Sequence, residues 1–293
     1  MTKNNLLLIT FIIIINSCAA VETSNLPESL TVIPEVNENQ KFIDYLDSDW
    51  EQTLINNPLF ATYTGDKRFN DKINPNTIDQ FNKVRNQDLE SLKKLMAINE
   101  EKLDKDNKLN YKLKKFDIES DLNLSQFPIY YLRLNQRGGI QSFYETGNRL
   151  VYQSKKDYED WLNRLSQFTE NIYTFLEINK EGLEKGYTQP KLVTRGVISQ
   201  IDAIINSDIE LNPYLKVFLE ANEEYFSKDE KEKLINDAKQ LIQKEINPAY
   251  ESLNNFLKNQ YLINSRESIG IKDIPDGKKY YEQLAKHYTT TDL

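Results

Sequence analysis

The sequence is poor in the residues that usually carry chemistry. It holds one cysteine and one histidine in 293 residues, with two methionines, two tryptophans and nine glycines. One cysteine excludes an intrachain disulfide and any Cys-based zinc site. A lone histidine, His287, excludes H-E-x-x-H and every metal site that needs two imidazoles. There is no G-x-x-x-x-G-K-[ST], no G-x-G-x-x-G and no G-x-S-x-G, and no acid spacing of the EF-hand kind. Basic charge is also short: the formal net charge is −8 and the pI about 5.0, against a nucleic-acid partner, whose phosphates require a basic face. Only eight of the 37 basic residues are arginine.

What is present reads as a folded helical body behind an export leader. Hydrophobic residues make up 39% and charged residues 28%, the balance of a globular domain. Lys3 precedes the apolar run Leu6–Ile15, which is about half the ~20 residues a spanning helix needs. Cys18 follows at once, and residues 1–18 resemble a bacterial lipoprotein signal with Cys18 as the acylated residue. A plain signal peptide and an uncleaved anchor are the alternatives. Residues 19–38 carry two prolines and no helical period, and read as a tether. The chain is then expected outside the cytoplasm, lipid-anchored to the periplasmic side of the outer membrane.

Beyond the tether, apolar spacing predicts helices almost throughout. Phe42, Leu46, Trp50 and Leu54 mark one. Phe81, Val84, Leu92, Leu95 and Met96 mark a second, and 109–124 a third. Ser154 caps a long helix reaching Gly182, and Pro190 opens another. The capping box Ser227–Glu230 starts a helix through Leu257, which Pro248 should kink. A last helix spans 277–286, and His287 follows it, where an imidazolium would suit the negative helix end. Thr289, Thr290, Thr291 and Asp292 then look like the cap of a further helix. The expected fold is all-α, with at most one small β-hairpin near 129–140, where Ile129–Leu134 is rich in strand formers and Gly138-Gly139 offers a turn.

Residues 127–151 also gather three of the eight arginines and three of the nine glycines. A flexible backbone with planar five-donor cations fits a carboxylate or phosphate clamp, and equally a turn whose arginines pair with surface acids.

Seven ordered blocks resemble the bacterial family called domain of unknown function 885. They are NNPLFATYTGDKRFND (56–71), LNYKLKKFDIESDL (109–122), LRLNQRGGIQ (132–141), KDYEDWLNRLSQF (156–168), GLEKGYTQPKLV (182–193), INPAYESLNNFLKNQYL (246–262) and GIKDIPDGKKYYEQLAKHYTTTDL (270–293). The resemblance implies a helical, zinc-metallopeptidase-like protein that continues about as far again, with an H-E-x-x-G-H-H-like motif in its second half. Residues 39–293 then correspond to the first half alone. From this come the expectations that the chain holds no catalytic residue and no metal of its own, zinc belonging to full-length relatives. The separate C-terminal half and a peptide substrate are the expected partners. The substrate-cleft candidates are Asn135, Gln136, Arg137, Gly138 and Gly139, with His287, Tyr288, Thr289, Thr290 and Thr291. Arg137 would take a carboxylate, and His287 or Tyr288 would donate to an oxyanion. A membrane-tethered binding module without catalysis and an inactive remnant are the rival readings.

Overall fold

A computed structural model describes residues 37–291. The signal, Cys18 and most of the tether lie outside the described residues, as do Asp292 and Leu293. Asn37 caps α1 (Glu38–Asn56) by accepting the Asn39 N–H at 2.9 Å. Pro58 opens the short α2 (Pro58–Tyr63). Thr77 caps α3 (Ile78–Met96) and Asp104 caps α4 (Lys105–Leu124). The three long helices share a small core of Phe42, Tyr45, Leu95, Ile98, Tyr111, Ile118 and Leu122.

The larger core is built on α6. After α5 (Tyr144–Arg149), Ser154 caps α6 (Lys155–Glu184), whose Trp161, Leu165, Phe168, Ile172 and Phe175 form a buried stripe. It ends where Gly186 takes the left-handed conformation, φ +80°. Pro190 is the cap of α7 (Lys191–Ile205) rather than its first residue, and Val197, Ile201 and Ile204 point inward. After the short α8 (Lys216–Leu219), the expected capping box forms: Ser227 accepts from Glu230 N–H, and Glu230 accepts from Ser227 N–H. It launches one rod of α9 (Lys228–Leu241), α10 (Asn247–Phe256) and α11 (Leu262–Asn264), joined by π turns at Ile242–Ile246 and Leu257–Tyr261. The first π turn ends at Ile246, two residues before Pro248. Its wider i→i+5 bonding, seen in Asn247 N–H to Ile242 C=O, makes room for the ring that lacks a donor. Leu241, Ile242, Ile246, Tyr250 and Leu253 carry the rod onto α6 and α7.

The described residues are all-α, as expected, and two details are sharpened. Among the described residues there is no strand, only an isolated bridge between Pro190 and Arg266. Ile129–Leu132 is a 3-10 turn, because its rings are used for packing rather than pairing. Tyr130 stacks on Phe81 at 5.4 Å, while Tyr131 meets Tyr187 at 5.5 Å and lies on α6 where Gly182 has no side chain. The second detail is at the C-terminal end. The last helix, α12 (Gly277–Thr289), includes His287, Tyr288 and Thr289. Thr289 Oγ1 donates to Ala285 C=O at 2.7 Å, and Thr290 takes a left-handed φ of 58°. These threonines end a helix. A threonine hydroxyl serves either terminus, since it can donate back to the i−4 carbonyl as readily as it can cap.

Candidate functional site

The loop 133–141 is held from beneath by amides. Leu134 is buried as its anchor. Asn135 Oδ1 accepts the Arg137 N–H at 2.9 Å, an Asx turn that sets the direction of the tip. Gln141, 2% exposed, donates through Nε2 to Asn135 C=O at 2.9 Å and to Gln200 Oε1 at 2.7 Å. Gln200 Nε2 in turn donates to Gln136 C=O at 3.0 Å. Gln136 lies over Gly196 of α7, where a larger residue would push its side chain aside, whereas Gly139 is shut in by the backbone carbonyl of Asn135 and by Gln141 Oε1. Backbone approach, not turn conformation, is therefore what the second glycine supplies, while Gly138 meets open space.

The result is a fixed platform with Arg137 exposed at its tip. Its neighbours are engaged: Arg149 pairs with Glu145 at 2.7 Å, and Arg133 donates to Asn76 and lies over the Phe81 ring. Among the described residues no carboxylate pairs with Arg137. A guanidinium on a rigid loop, unneutralised, can take a carboxylate or phosphate in a two-pronged bond. Gln141 and Gln200 complete this platform and were absent from the candidate set. Gln141 stood within a quoted block, whereas nothing local marks Gln200 as a partner 59 residues away.

The other candidates sit elsewhere. His287 is half-buried, with Nδ1 2.8 Å from Ser120 Oγ of α4. Tyr288 is 76% exposed. Among the described residues no hydrogen bond or ring contact joins 287–291 to loop 133–141, so the two sets do not form one cluster. His287 instead borders a polar network on α1, α3 and α4. Tyr45 Oη meets Ser91 Oγ at 2.8 Å, Ser91 donates to Asp49 Oδ1 at 2.8 Å, and Lys114 pairs with Asp49 Oδ2 at 2.5 Å. Burial, with Asp121 and Asp49 nearby, pushes the Asp88 carboxyl up to about 6. Burial also raises Asp121, opposed by His287. Beside this network an open groove of about 1000 Å³ runs between α1 and α3 past Tyr45, Asp49, Gln52, Asn86 and Ser91.

Among the described residues no three His, Cys, Asp or Glu side chains are placed to hold a metal ion. The zinc implied by the resemblance finds no fitting donor set there. No helix of the described residues is long and apolar enough to cross a membrane.

Fold and site together define an all-helical scaffold with Arg137 exposed on the loop 133–141. The chain belongs to the family described as "Bacterial protein of unknown function (DUF885)", which it matches over residues 58–293. It shares its fold with the crystal structure described as "the putative lipoprotein from Colwellia psychrerythraea", at a TM-score of 0.74 and 20% identity. That likeness covers 88% of this chain and 47% of the other, so the chain spans about half the length of that protein. The sequence matches no curated protein.

Proposed function

We propose that this chain is the lipid-anchored, exported first half of a metallopeptidase-like protein, supplying scaffold and one wall of a substrate cleft to a C-terminal half that brings the metal. The observation that carries the reading is the asymmetry of coverage: nearly all of this chain aligns with less than half of a folded relative. The peptidase class rests on the resemblance of the seven blocks. Within this reading, loop 133–141 is the cleft wall, and Arg137 takes the carboxylate of a bound peptide. His287 is committed to Ser120 and serves the joint between α4 and α12. Acylation at Cys18 would hold the domain at the periplasmic face of the outer membrane, and the relative's description as a lipoprotein supports the lipid anchor.

The test is reconstitution. The purified chain is expected to cleave no peptide by itself, and to do so in a chelator-sensitive way only with the family's C-terminal half. Chelator-sensitive cleavage by the homogeneous chain alone would overturn the proposal.

A second reading, a tethered peptide-binding module without chemistry, is favoured by the rigid and unneutralised Arg137. It requires that the isolated chain bind a fluorescent peptide with a free carboxylate. Arg137→Ala would weaken that binding by about tenfold, and Arg149→Ala, already paired with Glu145, would not. No binding by the isolated chain removes this reading.

A further inference from the structure

Helix α4 carries two apolar faces. Tyr111, Ile118 and Leu122 form one, buried against α1 and α3 at 5%, 6% and 9% exposure. Leu109, Leu113, Phe116 and Ser120 form the other, spaced i, i+4, i+7 and i+11. At 100° per residue, Ser120 points about 160° away from Ile118, across the helix from the core. Helix α12 covers only one end of this outer stripe. Tyr280 meets Phe127 at 5.4 Å, and His287 meets Ser120 at 2.8 Å. Phe127 lies just past the C-terminal end of α4, so α12 begins beside the end of α4 and runs back along it to Ser120, antiparallel to it. The C-terminal end of α12 is aimed along α4 toward Leu113 and Leu109, which are left 54% and 59% exposed.

We infer that the uncovered end of this stripe is the docking site for a helix of the half of the family architecture that this chain does not span. That helix lies antiparallel to α4, in line with α12, and presents an aliphatic i, i+4 pair to Leu109 and Leu113. Three observations agree on this occupant. The stripe is one continuous surface already met at Ser120 by a helix of this chain. Its free end lies where α12 delivers the polypeptide. And the relative with this fold is about twice as long. The inference rests on the half-protein reading above and adds to it the place of contact.

A photo-crosslinking residue at position 113 tests it in the native cell, on the full chain with its leader. Parallel probes at Leu211, Leu192 and Ile263 sample exposed apolar residues elsewhere. The expected adduct at 113 maps by mass spectrometry to a peptide of the family's C-terminal half, whether on the same polypeptide or a separate one. Leu109→Lys with Leu113→Lys should lower the yield of that adduct, read from a second probe at position 116, by about tenfold or more, with the melting transition unchanged. An adduct containing only a second copy of this chain, or none at 113, overturns the inference. If the C-terminal half is captured at 192, 211 or 263 but not at 113, the contact site is wrong and the half-protein reading stands. If no position captures it, both fall.

Discussion

Arg164 is the side chain on which the first family block depends. It is fully buried on α6, and no carboxylate lies within ion-pair distance of its guanidinium among the described residues. Nε donates to Lys72 C=O at 2.8 Å, and Nη2 donates to Phe69 C=O and Thr62 Oγ1, each at 2.9 Å. One side chain therefore pins the whole 62–72 segment to the long helix. Arg164→Met keeps the apolar stem and deletes the charge. It leaves two carbonyls and a hydroxyl without their donor, each worth about 1–3 kcal/mol where water cannot replace it. Two effects reduce the total. Lys72 is exposed enough for water to reach its carbonyl, and the substitution removes the desolvation cost that holds the guanidinium down at about 10. A net loss of about 3 kcal/mol follows. Urea unfolding should show it as a midpoint lower by about 1 M or more, given a slope of about 2–3 kcal/mol/M for a domain of this size. Amide exchange in 62–72 should rise before that of α6 or the rod α9–α11. A midpoint within about 0.3 M of wild type, with unchanged exchange in the segment, would refute the idea that this arginine holds it.

Gly147→Ala would place a methyl 2.5 Å from Cε2 of the buried Trp161, and overpacking of about 1–3 kcal/mol should lower the melting temperature by several degrees; an unchanged melt would show that the tryptophan moves freely. Asp88→Asn tests the polar network by its pH dependence. Because the folded carboxyl sits at about 6, above its unfolded value near 4, its charge destabilises the fold above pH 6, and the penalty is relieved as pH falls from 6 to 4. The variant should gain about 1–2 kcal/mol at pH 7.5, reduced by solvent screening of a half-buried group, and nothing at pH 4; a gain that ignores pH would contradict the assignment. Gln141→Ala removes the two bonds under loop 133–141, so trypsin cleavage after Arg137 should speed up by about tenfold while the global midpoint moves far less. Equal cleavage rates would show the loop to be mobile already.

Helix caps and stripes were legible because they are local. Ser154 and the Ser227–Glu230 box each specify their element within a few residues. The sharpened details fall where a residue type has two uses. Ile129–Leu134 has strand-forming residues, but strand preference reflects packing on a half-buried surface, and here α6 at Gly182 and the rings of Phe81 and Tyr187 supply that surface. Thr289 reads as a start and serves as an end. Pro248 announces a disturbance without saying whether the helix bends or widens. The support of Arg137 by Gln200 was not legible at all, since a hydrogen bond between elements leaves no periodic trace. The same holds for α4, where two opposed faces blur into a weakly amphipathic helix until α12 shows which residues lie outside.

The outer stripe of α4 also bears on how the two halves would meet. Burying Leu109 and Leu113 contributes about 1.5–3 kcal/mol each at most, and they are already partly covered. Association of separate chains costs about 4–15 kcal/mol in lost freedom of motion. Two leucines therefore cannot hold a second polypeptide. If the halves are separate chains, the interface must extend well past α4, and the exposed loop carrying Arg137 becomes a natural second contact. If they are one chain, continuity supplies the proximity and the stripe suffices as a local dock. The larger core on α6, α7 and the rod is complete without either. On the half-protein reading, a lysine pair at 109 and 113, outside that core, should therefore disrupt joining while leaving the fold intact.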